Sequence, residues 1–352
     1  MKILALDLGK SKTVACIFDS ESGEHRFTTI RTQRPDVLKL LSESAWDRVV
    51  MEIGPSAGWI DDLAVGLGLT VEVANVNHEA WRWRNVKCKT DRLDALKLAR
   101  LCSMNQVPGV YMPSPVVRQR RSLIEYRAKL VSRQTAIKNS IRAILMQQGL
   151  SLAAGKSGWT DKSLKSLVEL ARPMEQVTAE DLWRGQLSVE LEALAAAVKL
   201  IRQVSEKLNQ LAESNVPIAA VQSIPGIGPR TAEAIVAVID DPHRFKNKKQ
   251  VGSYVGLTPR KYQSGNSDRQ GRISGQGNRL LRSLLVQSAW MALRRSPWAR
   301  RVFQQVTRGA PGRRKVAIIA VARRLLIAAW AMLRDGTAWQ EPTSSPAAPA
   351  QA

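Results

Sequence analysis

The 352-residue chain has few of the side chains that build zinc sites and disulfide frameworks. It holds three cysteines (Cys16, Cys88 and Cys102) and three histidines (His25, His78 and His243). The cysteines form no CxxC pair and the histidines are scattered, so neither a zinc site nor a disulfide scaffold is readable. Long apolar runs are missing as well. No stretch approaches 18 uncharged apolar residues, and Asp7 interrupts the opening MKILALDLGK too early for a signal peptide. A soluble chain from a reducing compartment, with no membrane partner, is expected. There is also no P-loop: Gly149 stands one residue too far from the GKS at 155–157.

Acidic residues are the most telling shortage. Against 53 Lys and Arg there are 30 Asp and Glu, a formal net charge of +23. Such a surplus self-repels unless a polyanion neutralises it, which makes nucleic acid the leading partner. The charge is also unevenly placed. Segments 81–150 and 241–335 carry +12 and +18, while 1–80 and 151–240 carry −4 and −2. Hydrophobic residues at 44% and charged residues at 24% are ordinary globular usage, and the length suggests about two domains with connectors.

Three short β-rich runs, 2–9, 13–20 and 25–32, read as an antiparallel meander. A helix at 35–46, a strand at 48–54, a helix at 56–67 and a strand at 70–76 follow. That order fits a ribonuclease-H-like α/β domain, though other α/β folds share it. From Asp91 on, strand signals almost vanish. Helices are expected at 91–104, 116–149 and 179–214, the last two as long antiparallel helices forming a coiled-coil arm. A Pro-rich break lies at 107–115, and a compact helical region spans 216–335. The fold class is therefore α/β plus all-α. Its expected parts are a catalytic domain over 1–112, long helices over 113–215, a C-terminal helical domain over 216–338 and a disordered tail over 339–352.

Four carboxylates stand out. Asp7 and Glu52 close apolar runs that would be neighbouring strands of such a sheet, and Asp91 and Asp94 lie three apart on a helix. Hard oxygen donors converging in this way suit Mg²⁺ or Mn²⁺, and such ions clamp the attacking and leaving oxygens of a phosphodiester. Simpler readings stand beside this one. Asp7 closes a strand as turn residues do, and in KTDRLDA either Thr90 or Asp91 caps a helix that Asp94 favours electrostatically. LDLGKSKT also fits the phosphate hairpin of actin-like ATPases, but the second hairpin that such folds need is missing.

SIPGIGPRTAEAIVAVI (223–239) reads as a helix-hairpin-helix, whose glycine-flanked amides at Gly226 and Gly228, with Arg230, would grip a phosphate without reading sequence. A helical hairpin used only for packing is the plain alternative. Residues 262–278 hold four glycines among polar and basic residues and read as a flexible loop. Ser264 stands there before Gly265, flanked by Arg260, Lys261, Arg269 and Arg272. As with Ser267 and Ser274, a turn-forming serine is the plain reading. The basic helix 116–149 and Trp81 with Trp83 are candidates for stacking on RNA, with core or interface packing as the alternative for the tryptophans.

The ordered set LDLGK, MEIG, KTDRLDA, SIPGIGPRTA, GLTPRKYQSG and GRISGQGN closely resembles the transposases of the IS-one-ten family of insertion sequences, over about residues 3–335. The resemblance implies an N-terminal RuvC-like domain with a metal-binding tetrad at Asp7, Glu52, Asp91 and Asp94, a coiled coil and a C-terminal transposase domain. It implies Ser264 as the nucleophile that forms a covalent 5′-phosphoserine link to DNA. The implied partners are donor and target DNA and a structured noncoding bridge RNA, within a homo-oligomer of two to four copies. The implied location is the bacterial cytoplasm, in association with the nucleoid. Many relatives read ISKxG where this chain has Ile273-Ser274-Gly275-Gln276-Gly277, so Gly275 stands in place of the lysine and the backbone contact that the resemblance implies for it has no counterpart here. A RuvC-like nuclease that uses water and a non-catalytic architectural DNA binder are the competing functions.

Overall fold

The computed structural model describes residues 1–75, 90–264 and 267–342. It divides into two compact units, Met1–Arg118 and Gln119–Ala352.

The first unit is built on a five-stranded sheet in the order β3-β2-β1-β4-β5. β1 (Lys2–Leu8), β2 (Lys12–Asp19) and β3 (His25–Arg31) form the antiparallel meander, and β4 (Arg48–Glu52) and β5 (Val71–Ala74) add in parallel beside β1. This is the arrangement expected of a ribonuclease-H-like sheet. α1 (Arg34–Ser42) and α2 (Ala57–Gly66) supply the returns that parallel strands require.

Strand alternation divides the unit's core in two. Leu4 and Leu6 of β1 and Val49 and Met51 of β4 pack with Val37, Leu40 and Ile60 of α1 and α2. Ile3, Ala5 and Val50 face the other way, onto Ala95, Leu98 and Cys102 of α3 (Asp91–Ser103). The cap of α3 is Thr90, whose hydroxyl accepts a hydrogen bond from the Leu93 amide at 3.3 Å. Trp81, Trp83, Cys88, His78 and the basic residues Lys87 and Lys89 lie outside the described residues.

In the second unit, α4 (Pro115–Gln147) and α6 (Leu182–Glu213) run antiparallel. Arg120 donates to the Leu211 carbonyl, Arg127 to Ser205 Oγ at 2.7 Å and Ser140 to Glu190 at 2.7 Å. Ile141, Leu145, Leu187 and Leu194 are buried between them, together with Leu167 of α5 (Asp161–Leu170). Then come α7 (Val216–Gln222), α8 (Pro229–Ile239), α9 (Lys248–Tyr254), α10 (Arg279–Arg295), α11 (Pro297–Thr307) and α12 (Arg314–Asp335). They share one core that includes Ile235, Leu285, Val321 and Leu325.

Among the described residues, one helical segment, 311–335, is long and apolar enough to cross a membrane. Ala317, Val321, Ala322, Leu326 and Ala329 within it are fully or almost fully buried, and α12 packs on α10 and α11 as a core helix does.

Two expectations are corrected. The stretch read as a flexible loop is instead a β-hairpin of β6 (Pro259–Ser264) and β7 (Ser267–Ile273). Its root is closed by Gly277, whose φ of +82° admits the chain; a Cβ there would lie 2.0 Å from the Tyr254 carbonyl oxygen. The tail is also ordered further than its composition implies. Trp339 packs edge-on against Trp298 at 5.6 Å, and Glu341 accepts from Ser296 Oγ at 2.7 Å and from the Trp298 amide at 2.8 Å. A carboxylate at the start of α11 meets unpaired amides there, which ties the chain down through residue 342. Residues 343–352 lie outside the described set.

Candidate active site and nucleic-acid interface

The parallel ladder between β1 and β4 pairs Ala5 with Val50 and Leu6 with Met51. One step further along stand Asp7 and Glu52. Because side chains alternate, both point to the face of Ala5 and Val50, the face that α3 covers. Both are half-buried. Asp94 lies on the buried stripe of α3 with Leu98 and Cys102 and is only 5% exposed, whereas Asp91, at the first turn of the helix, is exposed. Three of the four carboxylates thus address one face of the sheet, and the fourth stands at its solvent side. Among the described residues, no three His, Cys, Asp or Glu side chains stand close enough together to form a metal shell.

Ser264 is the last residue of β6, opposite Ser267, and is exposed. The hairpin pairs Tyr262 with Arg269 and Gln263 with Asp268. Alternation puts Arg260, Tyr262 and Ser264 on one face with Arg269. The Tyr262 ring covers Gly271, where a Cβ would meet it at 2.8 Å. Lys261 belongs to the opposite face, where its ammonium reaches Asp268 at 3.3 Å. Arg260 donates to the Ser274 carbonyl at 3.2 Å, and Arg272 is exposed near the root. Two of the four expected basic residues, Arg260 and Arg269, therefore share the face of the serine.

The glycines between α7 and α8 have separate roles. Gly226, at φ +93°, is pressed against α10: a Cβ would lie 2.5 Å from the Ala292 nitrogen and 2.6 Å from the Ser288 carbonyl oxygen. Its lack of a side chain is accounted for by that packing. Gly228 has nothing near its missing side chain, and its carbonyl accepts the Thr231 and Ala232 amides that open α8. Arg230 is turned inward, to Asn209 and to Glu233 Oε1 at 3.0 Å.

Sequence reading missed the hairpin, Tyr262 and Glu233. The hairpin had one signal, the Gly265-Asn266 pair, a two-residue combination that favours a tight turn between strands.

Comparison with known proteins agrees with the motif order. Residues 4–149 match the DEDD transposase model of IS110 elements, and residues 218–304 match the "Transposase IS116/IS110/IS902 family". The transposase for insertion sequence element IS1111A of Coxiella burnetii is 29% identical over 84% of this chain and 78% of its own. A probable family 20 transposase of Pseudomonas aeruginosa is 26% identical over 97% and 99%. The pilin gene-inverting protein of Moraxella lacunata is 26% identical over 71% and 67%. Two domain matches from one family and relatives aligned along most of the chain identify this protein as an insertion-sequence transposase of the IS110/IS116 family, the IS-one-ten family that its motifs resemble.

Proposed function

We propose that this transposase cuts and rejoins DNA through a covalent 5′-phosphoserine link at Ser264, directed by a structured bridge RNA. The observation that carries the reading is the placement of Ser264: exposed at the end of a hairpin strand, before a glycine, on the same face as Arg260 and Arg269. In the step, Ser264 Oγ forms a bond to phosphorus, its proton leaves, and the bond from phosphorus to the 3′ oxygen breaks to release a 3′-hydroxyl. A serine hydroxyl is a weak nucleophile at neutral pH, so charge on the phosphate must be offset. Arg260 and Arg269 supply fixed positive charge on that face. The phosphoserine keeps the energy of the broken bond, and reversal by the 3′-hydroxyl of another strand completes rejoining without ATP. A relative named for inverting a pilin gene fits a reaction that both cuts and reseals.

The donor set Asp7, Glu52, Asp91 and Asp94 fits a hard divalent cation in chemical type. Mg²⁺ or Mn²⁺ held there would neutralise phosphate charge. The basic segments 81–150 and 241–335 supply the charge for DNA and RNA, with Gly228 at the start of α8 as a phosphate contact, Arg230 being engaged inside the unit by Asn209 and Glu233. Each working site joins the acidic domain of one copy to the serine of another, within a dimer or tetramer.

The test uses the full chain with its element's noncoding RNA, donor and target DNA, and Mg²⁺. The Ser264→Ala and Asp7→Ala variants are expected to bind DNA but not cut it. Wild-type cutting by Ser264→Ala overturns the serine mechanism in favour of attack by water. Unimpaired function of Asp7→Ala and Ser264→Ala together identifies an architectural protein.

A further inference from the structure

Trp290 stands on the outer face of α10, 42% exposed, and among the described residues no other tryptophan is so open to water. Trp59, Trp159, Trp183 and Trp330 each carry a cationic group over the ring. Trp290 carries none, and its indole N–H finds no acceptor among the described residues. Its one aromatic neighbour is Phe303 of α11, with ring centroids 6.3 Å apart at 55°. Phe303 is itself half-buried against the core, so it braces the indole from one side and leaves the rest in water. An exposed tryptophan forgoes the burial that makes aromatic side chains dominate cores and interfaces. The exposure continues along the helix: Ser283, Gln287, Trp290, Met291 and Arg294 recur at helical spacing and are all exposed. Ser283 and Gln287 border one cleft with Gly228 and Pro229 at the start of α8. Around this stripe the charge has one sign. Residues 269–334 contain 15 Lys and Arg and no Asp or Glu. Arg294 and Arg295, in the last turn of α10, are exposed and make no ion pair among the described residues.

We propose that Trp290 is a stacking platform for a base of an unpaired nucleic-acid strand, whose phosphates lie along the arginines of α10 and the start of α8. Charge decides the occupant. A second copy of this face would set like charges against each other, whereas a polyanion is drawn to a surface with no acidic residue to oppose it. The exposed indole decides the form of the strand. In a duplex the base faces are already stacked on their neighbours, so an aromatic ring on a protein surface finds a partner only where bases are unpaired. Trp290 lies three residues beyond Gln287, about 4.5 Å along the helix axis, which keeps it beside the cleft at α8. Met291 widens the apolar platform, being 38% exposed and polarisable. Stacking on one ring reads the presence of a base rather than its identity, since every base has a face to offer. The proposal rests on the nucleic-acid reading above but not on the chemistry at Ser264.

The experiment is fluorescence polarisation of the full chain in EDTA with labelled oligothymidylate, oligouridylate, an abasic strand of equal length and a blunt duplex. Trp290→Ala, checked for folding by circular dichroism, is expected to bind the two base-bearing strands about tenfold more weakly and the abasic strand and duplex as the parent does. Trp290→Phe is expected to keep most of the affinity. A second arm needs no variant: strands carrying 5-iodouracil, as DNA and as RNA, are irradiated on the parent chain and the crosslinked peptide is mapped by mass spectrometry. A crosslink on Trp290 is expected, and the backbone that gives it identifies the strand. Unchanged binding of both base-bearing strands by folded Trp290→Ala, an equal loss on the abasic strand, or crosslinks confined to other residues overturns the proposal. So does weaker self-association of Trp290→Ala in sedimentation with strand binding intact, which assigns the face to another copy. Because nothing is cut in EDTA, these failures leave the serine mechanism standing. A chain that binds neither strands nor duplex overturns the nucleic-acid reading and this proposal together.

Discussion

Substituting Gly226 separates packing from phosphate binding at the turn between α7 and α8. A Cβ at this position meets three backbone atoms of α10, the Ala292 nitrogen at 2.5 Å, the Ser288 oxygen at 2.6 Å and Ala292 Cα at 2.8 Å. Backbone cannot swing aside as a side chain does, so α8 or α10 must shift. Overpacking of this kind costs about 1–3 kcal/mol. The left-handed φ of +93° adds about 1–2 kcal/mol for any L side chain. Gly226→Ala is therefore expected to destabilise the second unit by about 2–5 kcal/mol. Gly228→Ala, in open space at a φ of −91°, is expected to stay within about 1 kcal/mol of the parent. The assay is amide hydrogen exchange of the α8 and α10 peptides in the full chain, which reads this region without assuming that both units unfold together. Protection unchanged in Gly226→Ala, or lost equally in both variants, refutes the packing account.

Three further outcomes are expected. Burial pushes the Cys16 and Cys102 thiols up to about 11, so iodoacetamide at pH 8 leaves both unlabelled in the native chain and labels them in urea, as read by peptide mass spectrometry. Hydrogen bonds from Ser296 Oγ and the Trp298 amide hold Glu341 below the usual carboxylate range. The tail anchor is thus present above the ordinary Glu value and is lost as pH falls through the lower folded value; exchange of the 337–342 amides should rise there in the parent and be pH-insensitive in Glu341→Gln. Arg269→Ala should reduce the slope of log binding constant against log salt by about one while leaving sequence preference unchanged; an unaltered slope removes Arg269 from the phosphate contacts.

Where the apolar run is continuous or the caps are local, the fold was legible. β1 and β4 read as strands because their apolar residues fill both faces, and α3 could be placed because Thr90 caps a run with Leu98 and Leu101. Asp7 and Glu52 could be paired in advance, since neighbouring parallel strands of equal register end together. The different fates of Asp91 and Asp94 could not: helical spacing puts them near one another, but packing against the sheet decides which is buried. β6 escaped because all its residues are exposed, leaving no apolar alternation to detect. The 339–342 anchor escaped because its composition is polar and proline-containing, while its order depends on Trp298 and Ser296 some forty residues earlier. Glu233 sits in an aliphatic run that reads as an ordinary amphipathic helix, and only the fold shows that its carboxylate faces inward.

The central claim is that Ser264 becomes bonded to DNA, and mapping the trapped adduct tests it most directly. A donor DNA nicked so that the released 3′ fragment diffuses away would hold the covalent intermediate in place. Proteolysis and tandem mass spectrometry would then locate the added nucleotide. The account predicts a peptide bearing a 5′-phosphonucleotide on Ser264, absent from Ser264→Ala; cleaved DNA with no modified peptide, or a nucleotide attached to another residue, contradicts it.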